Sequence, residues 1–347
     1  MDQLPVIDIR ALVGRAGDRE VTEAEAEAAA AIDRACRDLG FFLVSGHGVD
    51  PALLDALDAA ARVFFARPEE DKEAIAMARG GRAWRGWFPE GGELTAGRPD
   101  RKEGLYFGAE LPPDDPRVLA GTPLHGPNLF PEAPASLGPA VLAWIGAMTA
   151  VGHTLVRGIA IGLGLPPDWF DAHLTADPTV LFRIFRYPPH PESDEGWGVA
   201  EHTDYGLLTV LAHDGTPGLQ VRSPSGGWLD VPAVDGTFVV NLGDMLERMT
   251  GGRYLSTPHR VRHGGGSRDR LSFPFFFDPG WDAEILPIPD AARSGPVREV
   301  ERWDEASVHT WSGTYGVYLT AKVAQVFPAL TDHLAPEPPP FSSSNGT

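Results

Sequence analysis

Cysteine is nearly absent from this chain. One residue, Cys36, among 347 excludes an internal disulfide, an iron–sulfur cluster and a multi-thiolate zinc site. Basic charge is also short: 29 Lys and Arg stand against 48 Asp and Glu, a net charge of -19. A field of that sign repels phosphate backbones and anionic bilayers, so neither nucleic acid nor membrane is an expected partner. No run of about 18 consecutive apolar residues occurs, so no membrane span is predicted. The N-terminal "MDQLPVIDIR" has no basic region followed by an apolar core, which argues against a secretory signal. These absences together predict a reducing, cytoplasmic setting. Internal repeats and long low-complexity linkers are missing too.

What is present suffices for a core, since 43% of residues are hydrophobic. "LPVIDI" (4–9) reads as a short strand. "TEAEAEAAAAIDRACRDLG" reads as a helix capped by Thr22, with Glu25 three residues on and Gly40 as its stop. "FFLVSGHGVD" reads as strand and turn, and "PALLDALDAAARVFFARPEEDK" as a second helix with Pro51 near its first position. Residues 79–135 are rich in Gly, Pro and Trp with weak periodicity, which predicts a long irregular, lid-like segment. Within it "RGGRAWRGWFPEGG" offers Arg82, Trp84, Arg85 and Trp87 as candidates for a lid or substrate wall. A long helix around Pro139 follows. From about 180 to 280 come "VLFRIFRYP", "GLLTVLAHD", "LQVRS", "WLDVP", "TFVVNLG", "HRVRH" and "RLSFPFFF", short strands separated by turn signals, the pattern of a sandwich or jelly roll. The division predicted is 1–135, then 136–335 as helix, strand-rich core and C-terminal helix, then a flexible Pro/Ser-rich tail at 336–347. No feature of the sequence reads out an oligomeric state.

Chemistry concentrates in "EHTDYGLLTVLAHD". In an extended segment residues i and i+2 share a face, so His202 and Asp204 can converge on one ion. A second histidine would complete a two-His, one-carboxylate face of an octahedron, a donor set suited to non-haem Fe(II). His259 and His263 are the nearest later candidates. His259 begins an extended run whereas His263 leads into a glycine turn, and a ligand must be held rigidly, so His259 is preferred. In "RDRLSFPFFF", Arg270 and Ser272 are again i and i+2, on a strand apolar on both sides. A guanidinium there needs an anionic partner, and guanidinium plus hydroxyl make a clamp for a carboxylate.

With these residues assembled, the chain resembles iron(II)- and 2-oxoglutarate-dependent dioxygenases of the isopenicillin N synthase-like group over roughly residues 4–330. The resemblance is carried by "LPVIDI", "DLGFFLVSGHGV" and "FFARPEEDK" in the first half, and by "HTDYGLLTVL", "VNLGDMLERMTGGRYLSTPHRV" and "RLSFPFFF" in the second. It implies a mainly β fold, a double-stranded β-helix (jelly roll) with an N-terminal helical region and a C-terminal helix. It implies His202, Asp204 and His259 as iron ligands, Arg270 and Ser272 as the clamp on the distal carboxylate of 2-oxoglutarate, and Tyr187 as a helper. Many relatives carry Asn two positions before that tyrosine, where this chain has Phe185. Alternation places Arg183, Phe185 and Tyr187 on one face, and Arg183 is a candidate for a substrate carboxylate. Phe276 and Arg85 complete the candidate substrate residues. The segment "ELTAGRPDRKEGLYFG" is similar to bacterial members that include ethylene-forming enzymes; Ser272 in the clamp favours ordinary oxidation over that reaction.

The implied activity is oxidation of an unactivated C–H bond of a small molecule (amino acid, peptide or other natural product), using Fe(II), 2-oxoglutarate and O2 and releasing succinate and CO2. Hydroxylation is the default; desaturation and ring closure begin with the same hydrogen abstraction. Asp204 fills the position a halide would need, which disfavours halogenation. Three rival readings are an oxidase of the same family that needs no 2-oxoglutarate, a zinc hydrolase, and a jelly-roll binding module without catalysis.

Overall fold

Thr22 opens the first helix in the predicted manner: Glu25 N donates to Thr22 Oγ1 at 3.3 Å, and Thr22 N donates back to Glu25 Oε2 at 2.9 Å. The computed structural model describes residues 4–15, 17, 20–95, 97–189, 197–262, 268–289 and 308–327. Its helices are α1 (Glu23–Asp38), α2 (Pro51–Phe65), α3 (Glu69–Glu73), α4 (Pro116–Leu119), α5 (Leu137–Gly162), α6 (Asp244–Met249) and α7 (Tyr315–Val326). Its strands are β1 (Val6–Asp8), β2 (Phe41–Ser45), β3 (Gly86–Phe88), β4 (Leu94–Thr95), β5 (Arg98–Pro99), β6 (Glu103–Gly108), β7 (Thr179–Tyr187), β8 (Trp197–His202), β9 (Leu208–His213), β10 (Leu219–Arg222), β11 (Trp228–Asp230), β12 (Phe238–Leu242), β13 (His259–Arg262) and β14 (Arg270–Asp278).

Gly40 ends α1 with φ +70°, and its N–H bonds Ala35 O at 2.9 Å. Any side chain there would collide with the Leu255 carbonyl. The predicted second helix is in fact two, α2 and α3, because Pro68 disfavours helical backbone at the residue before it. Pro139 sits inside the first turn of α5, where its missing N–H has no intrahelical acceptor to lose.

Two sheets form the double-stranded β-helix. The larger has the order β1-β2-β12-β9-β14-β7-β6-β3, and the smaller β11-β10-β13-β8. β14 is central, antiparallel to β7 on one side and β9 on the other, and is buried along nearly its whole length. The segment 79–135 differs from its prediction as one irregular stretch. It contains β6, entirely buried and paired with β7, and β3 on the edge beyond it. "EGLYFG" shows no alternation because both its faces are covered, so periodicity could not reveal it.

Helix α5 is long and apolar enough to cross a membrane by length and composition alone. Here it packs against α1 and α2 and lies on the larger sheet, with Trp144, Met148, Leu155 and Ile159 fully buried. Its apolar character is that of a core helix.

Candidate metal centre and cosubstrate pocket

His202 closes β8 and His259 opens β13, and the two are direct cross-strand partners with ring centroids 4.2 Å apart. Asp204 follows in the turn after β8. Its Oδ1 lies 3.9 Å from His202 Nε2 and 3.8 Å from His259 Nε2. The three ligand atoms fall within 4.8 Å of one another, the single such His/Cys/Asp/Glu group among the described residues. The turn is pinned from two sides. Asp244 N donates to Asp204 O at 2.8 Å, and Leu207 N donates to Asp278 Oδ1 at 3.2 Å. Gly206 packs so closely on the Asp278 carboxylate that a Cβ has no room.

Hydrogen bonding aims the donor atoms. His202 Nδ1 lies 2.8 Å from Ala200 O, and His259 Nδ1 lies 3.2 Å from Thr257 O. A carbonyl only accepts, so each ring carries its proton on Nδ1 and leaves the Nε2 lone pair toward Asp204. Asp204 Oδ2 accepts from the Thr209 hydroxyl and from Asn241 Nδ2, the latter at 2.7 Å, which leaves Oδ1 for the centre. Burial, followed by the neighbouring His202, pushes His259 down to about 4, so its ring is neutral at ordinary pH. Burial acts to raise the Asp204 carboxyl, but the two imidazoles, Asn241 and Thr209 outweigh it and hold it below the ordinary carboxylate value. Two imidazole Nε2 atoms and one carboxylate oxygen fit a divalent transition metal. His263, the alternative second histidine, lies outside the described residues.

A cavity of about 710 Å³ opens between the sheets beside the triad. Arg270 and Ser272 line it from β14, both buried, and Tyr187 faces Arg270 across the β7–β14 register. The Arg270 guanidinium sits 4.8 Å from the Tyr187 ring and donates from Nε to Thr216 O at 3.3 Å, while its buried Nη1 has no hydrogen-bond partner. An unsatisfied guanidinium nitrogen beside a buried hydroxyl, in the cavity that holds the triad, fits the far end of a dicarboxylate.

Arg183, Phe185 and Tyr187 share one face of β7 and line this cavity, as does Phe276. Arg85 does not. It is buried behind the wall, donates from Nη2 to Leu124 O at 2.8 Å, and is held down to about 9 by burial and then by the like charge of Arg183. Its loop folds back on the 124 turn instead of over the cavity, so its assignment as a substrate residue is corrected. Arg82, Trp84 and Trp87 also stay off the cavity lining, and both tryptophans are core residues.

Several lining residues escaped sequence reasoning. Asn241 is the one polar residue in "FVVNL" and Thr209 the one in "LTVLA", and a buried amide or hydroxyl needs a partner, so a signal existed. Glu93 and Lys102 gave none, because "ELTAGRPDRKEG" reads as a solvated, charge-rich stretch. In the fold Lys102 is 1% exposed and its Nζ lies 2.9 Å from Glu93 Oε2.

Comparisons with known proteins agree on one family. Residues 178–279 match the 2OG-Fe(II) oxygenase superfamily, and residues 4–133 match the family described as non-haem dioxygenase in morphine synthesis N-terminal. A Dictyostelium discoideum protein named as a probable iron/ascorbate oxidoreductase is 42% identical, covering 96% of this chain and 97% of its own. Homoarginine-6-hydroxylase from Oryza sativa subsp. japonica is 33% identical over 93% of this chain and 97% of its own. Among solved structures, a Neurospora crassa protein in complex with alpha-KG and thymine superposes with a TM-score of 0.74 at 25% identity, over 93% of this chain and 96% of that one. The chain belongs to the 2-oxoglutarate and Fe(II) oxygenase superfamily. It is an oxidoreductase that uses Fe(II), 2-oxoglutarate and O2.

Proposed function

We propose that His202 and His259 bind Fe(II) through Nε2 and Asp204 through Oδ1, that Arg270 and Ser272 grip the distal carboxylate of 2-oxoglutarate beside the Tyr187 ring, and that the enzyme hydroxylates a small molecule of amino-acid type. One observation carries this: three convergent donor atoms share a cavity with a buried guanidinium whose Nη1 lacks a hydrogen-bond partner. The substrate class is supported by relatives named for amino-acid substrates, the homoarginine-6-hydroxylase of rice and a 1-aminocyclopropane-1-carboxylate oxidase 34% identical to this chain. A zinc hydrolase would leave Arg270 without a role.

When bound, ferrous iron and 2-oxoglutarate supply the oxygen-activating chemistry, with succinate and CO2 released. The chain's own residues position and shield. Ala200 O and Thr257 O fix both imidazole tautomers. Thr209 and Asn241 hold Asp204 so that one oxygen faces inward. Arg270 fixes one end of the cosubstrate, which sets the direction of the other. Phe185, Phe276, Leu211 and Pro274 supply the apolar part of the cavity wall, against which a substrate hydrocarbon would pack. Cys36, buried and outside the cavity lining, places no redox demand on the cell and suits the cytoplasm.

The test is succinate formation from 2-oxoglutarate, with Fe(II) and O2, across a panel of small metabolites. Succinate released in proportion to oxidised product supports the reading. Product formed without succinate identifies a 2-oxoglutarate-independent oxidase, and activity retained with Zn(II) under anaerobic conditions identifies a hydrolase.

A further inference from the structure

The polar groups lining the cavity are unequally satisfied. Glu93 Oε1 accepts from the Tyr106 hydroxyl, and its Oε2 is ion-paired with Lys102 at 2.9 Å without a hydrogen bond. Lys102 is shared with Asp100, whose Oδ2 also accepts from Thr95 at 2.7 Å. Arg270 belongs to the dicarboxylate pocket. Lys322 from α7 also lines the cavity, with its ammonium over the Tyr205 and Tyr318 rings. Arg183, by contrast, makes no hydrogen bond or ion pair with any described residue. Its guanidinium carbon lies 4.0 Å from the Tyr106 ring centre and 4.6 Å from that of Phe276, and its buried Nε has no partner. Aromatic contacts occupy the guanidinium's neighbourhood without using its in-plane N–H donors, which are shaped for a planar anion. Arg85 stands behind it, a second guanidinium in the same low-dielectric wall. The Glu93 and Asp278 carboxylates act on Arg183 through space without hydrogen-bonding it, so its N–H donors still favour an anion in front of them.

Position along β7 separates this anion from the cosubstrate. Tyr187 is the register partner of Arg270, and Arg183 lies four residues away on the same face. At about 3.3 Å per residue that offset is roughly 13 Å along the strand. The distal carboxylate of 2-oxoglutarate is assigned to Arg270, whose strand position is well removed from that of Arg183. The donors of Arg183 are therefore available to a second molecule.

We propose that Arg183 anchors a carboxylate of the primary substrate, so that the enzyme oxidises small amino-acid-type carboxylates and not their amides or amines. This rests on the reading above that the same cavity holds iron and 2-oxoglutarate. The test uses the full chain with Fe(II), 2-oxoglutarate and O2, measuring succinate release. The probes are the protein L-amino acids, L-homoarginine and 1-aminocyclopropane-1-carboxylate, each beside its carboxamide or decarboxylated amine. The proposal expects one or more free carboxylates to stimulate release, with kcat/KM at least about 100-fold above that of the amide or amine counterpart. Arg183→Met, which keeps the packing between Tyr106 and Phe276, should raise the KM for that carboxylate by about 100-fold, and Arg183→Lys should recover part of the loss. The KM for 2-oxoglutarate in substrate-free turnover should stay within about 2-fold, less than 0.5 kcal/mol by the same conversion. Amides that match their acids, a panel in which no carboxylate stimulates release, or an Arg183→Met effect confined to 2-oxoglutarate would each overturn the proposal. The anaerobic Fe(II)–2-oxoglutarate absorption band of the wild type separates the two levels. If the band is present, such a result removes only the Arg183 assignment; if it is absent, the iron and cosubstrate reading fails with it.

Discussion

Asn241 donates from Nδ2 to Asp204 Oδ2 at 2.7 Å, and the same oxygen receives the Thr209 hydroxyl. The carboxylate is thereby held by one oxygen so that the other can face the imidazoles. Removing such an orienting bond costs 10- to 100-fold in metal affinity as an order of magnitude. Asn241→Leu and Thr209→Val should each weaken Co(II) or anaerobic Fe(II) binding by about that factor, measured by titration, with far-UV circular dichroism unchanged. Affinities equal to wild type would show that Asp204 needs no such support.

Arg270→Ala should raise the 2-oxoglutarate requirement sharply while metal affinity stays within about 2-fold. Losing a buried charge-assisted contact to a carboxylate costs about 2 kcal/mol or more, roughly 30-fold or greater in KM. Arg270→Lys should restore part of it. An unchanged KM would mean that the unsatisfied Nη1 serves something other than the cosubstrate.

Asp278 lies on the cavity floor, 2% exposed, bonded to Leu207 N and to the Tyr315 hydroxyl. Burial pushes its carboxyl up to about 7 from the ordinary 3.8. Below the unfolded value both states are protonated and no stability is lost. As pH rises from about 4 to about 7 the unfolded chain releases a proton that the folded chain keeps, so stability falls, and the loss is complete above about pH 7. The full effect is on the order of 4 kcal/mol. Asp278→Asn should remove this slope. Urea midpoints at pH 5 and pH 8 should show the variant gaining roughly 2–3 kcal/mol on the wild type between them. Parallel profiles would place the carboxyl in its ordinary range.

Lys102 is the counter-charge for two buried carboxylates, Glu93 and Asp100. Lys102→Met keeps the length of the side chain and removes the cation that lies between those acids. Breaking a buried ion group from one side costs about 3–5 kcal/mol. Chemical denaturation should read a loss of that size, and a variant within about 1 kcal/mol of wild type would show the network to be well hydrated.

Much of this was legible in the residues because it depends on local rules. The capping box at Thr22 and Glu25, the Gly40 stop and the Pro51 start are contacts within a few positions, and they appear in the structure. The strands β7, β9, β10, β11, β12, β13 and β14 follow from apolar runs between turns. The meeting of His202, Asp204 and His259 could be anticipated because i and i+2 spacing and a rigid second strand are also local properties. What stayed hidden depends on distant partners. β6 has no alternation since both its faces are covered. Glu103 is buried because Lys72, at 2.7 Å, and Arg186 reach it from elsewhere in the chain. Arg85 sits in a Gly-rich stretch whose course is set by the Leu124 carbonyl, so no spacing could show that it turns away from the cavity.

The central claim is that one ferrous ion and one 2-oxoglutarate meet at His202, Asp204 and His259. The most direct measurement is anaerobic visible absorption of the protein on adding Fe(II) and then 2-oxoglutarate, repeated with His259→Ala. The account predicts a weak charge-transfer band in the wild type that requires both additions, and its loss in the variant together with measurable metal affinity. A band that survives in His259→Ala, or a wild type that binds Fe(II) and 2-oxoglutarate without one, would contradict it.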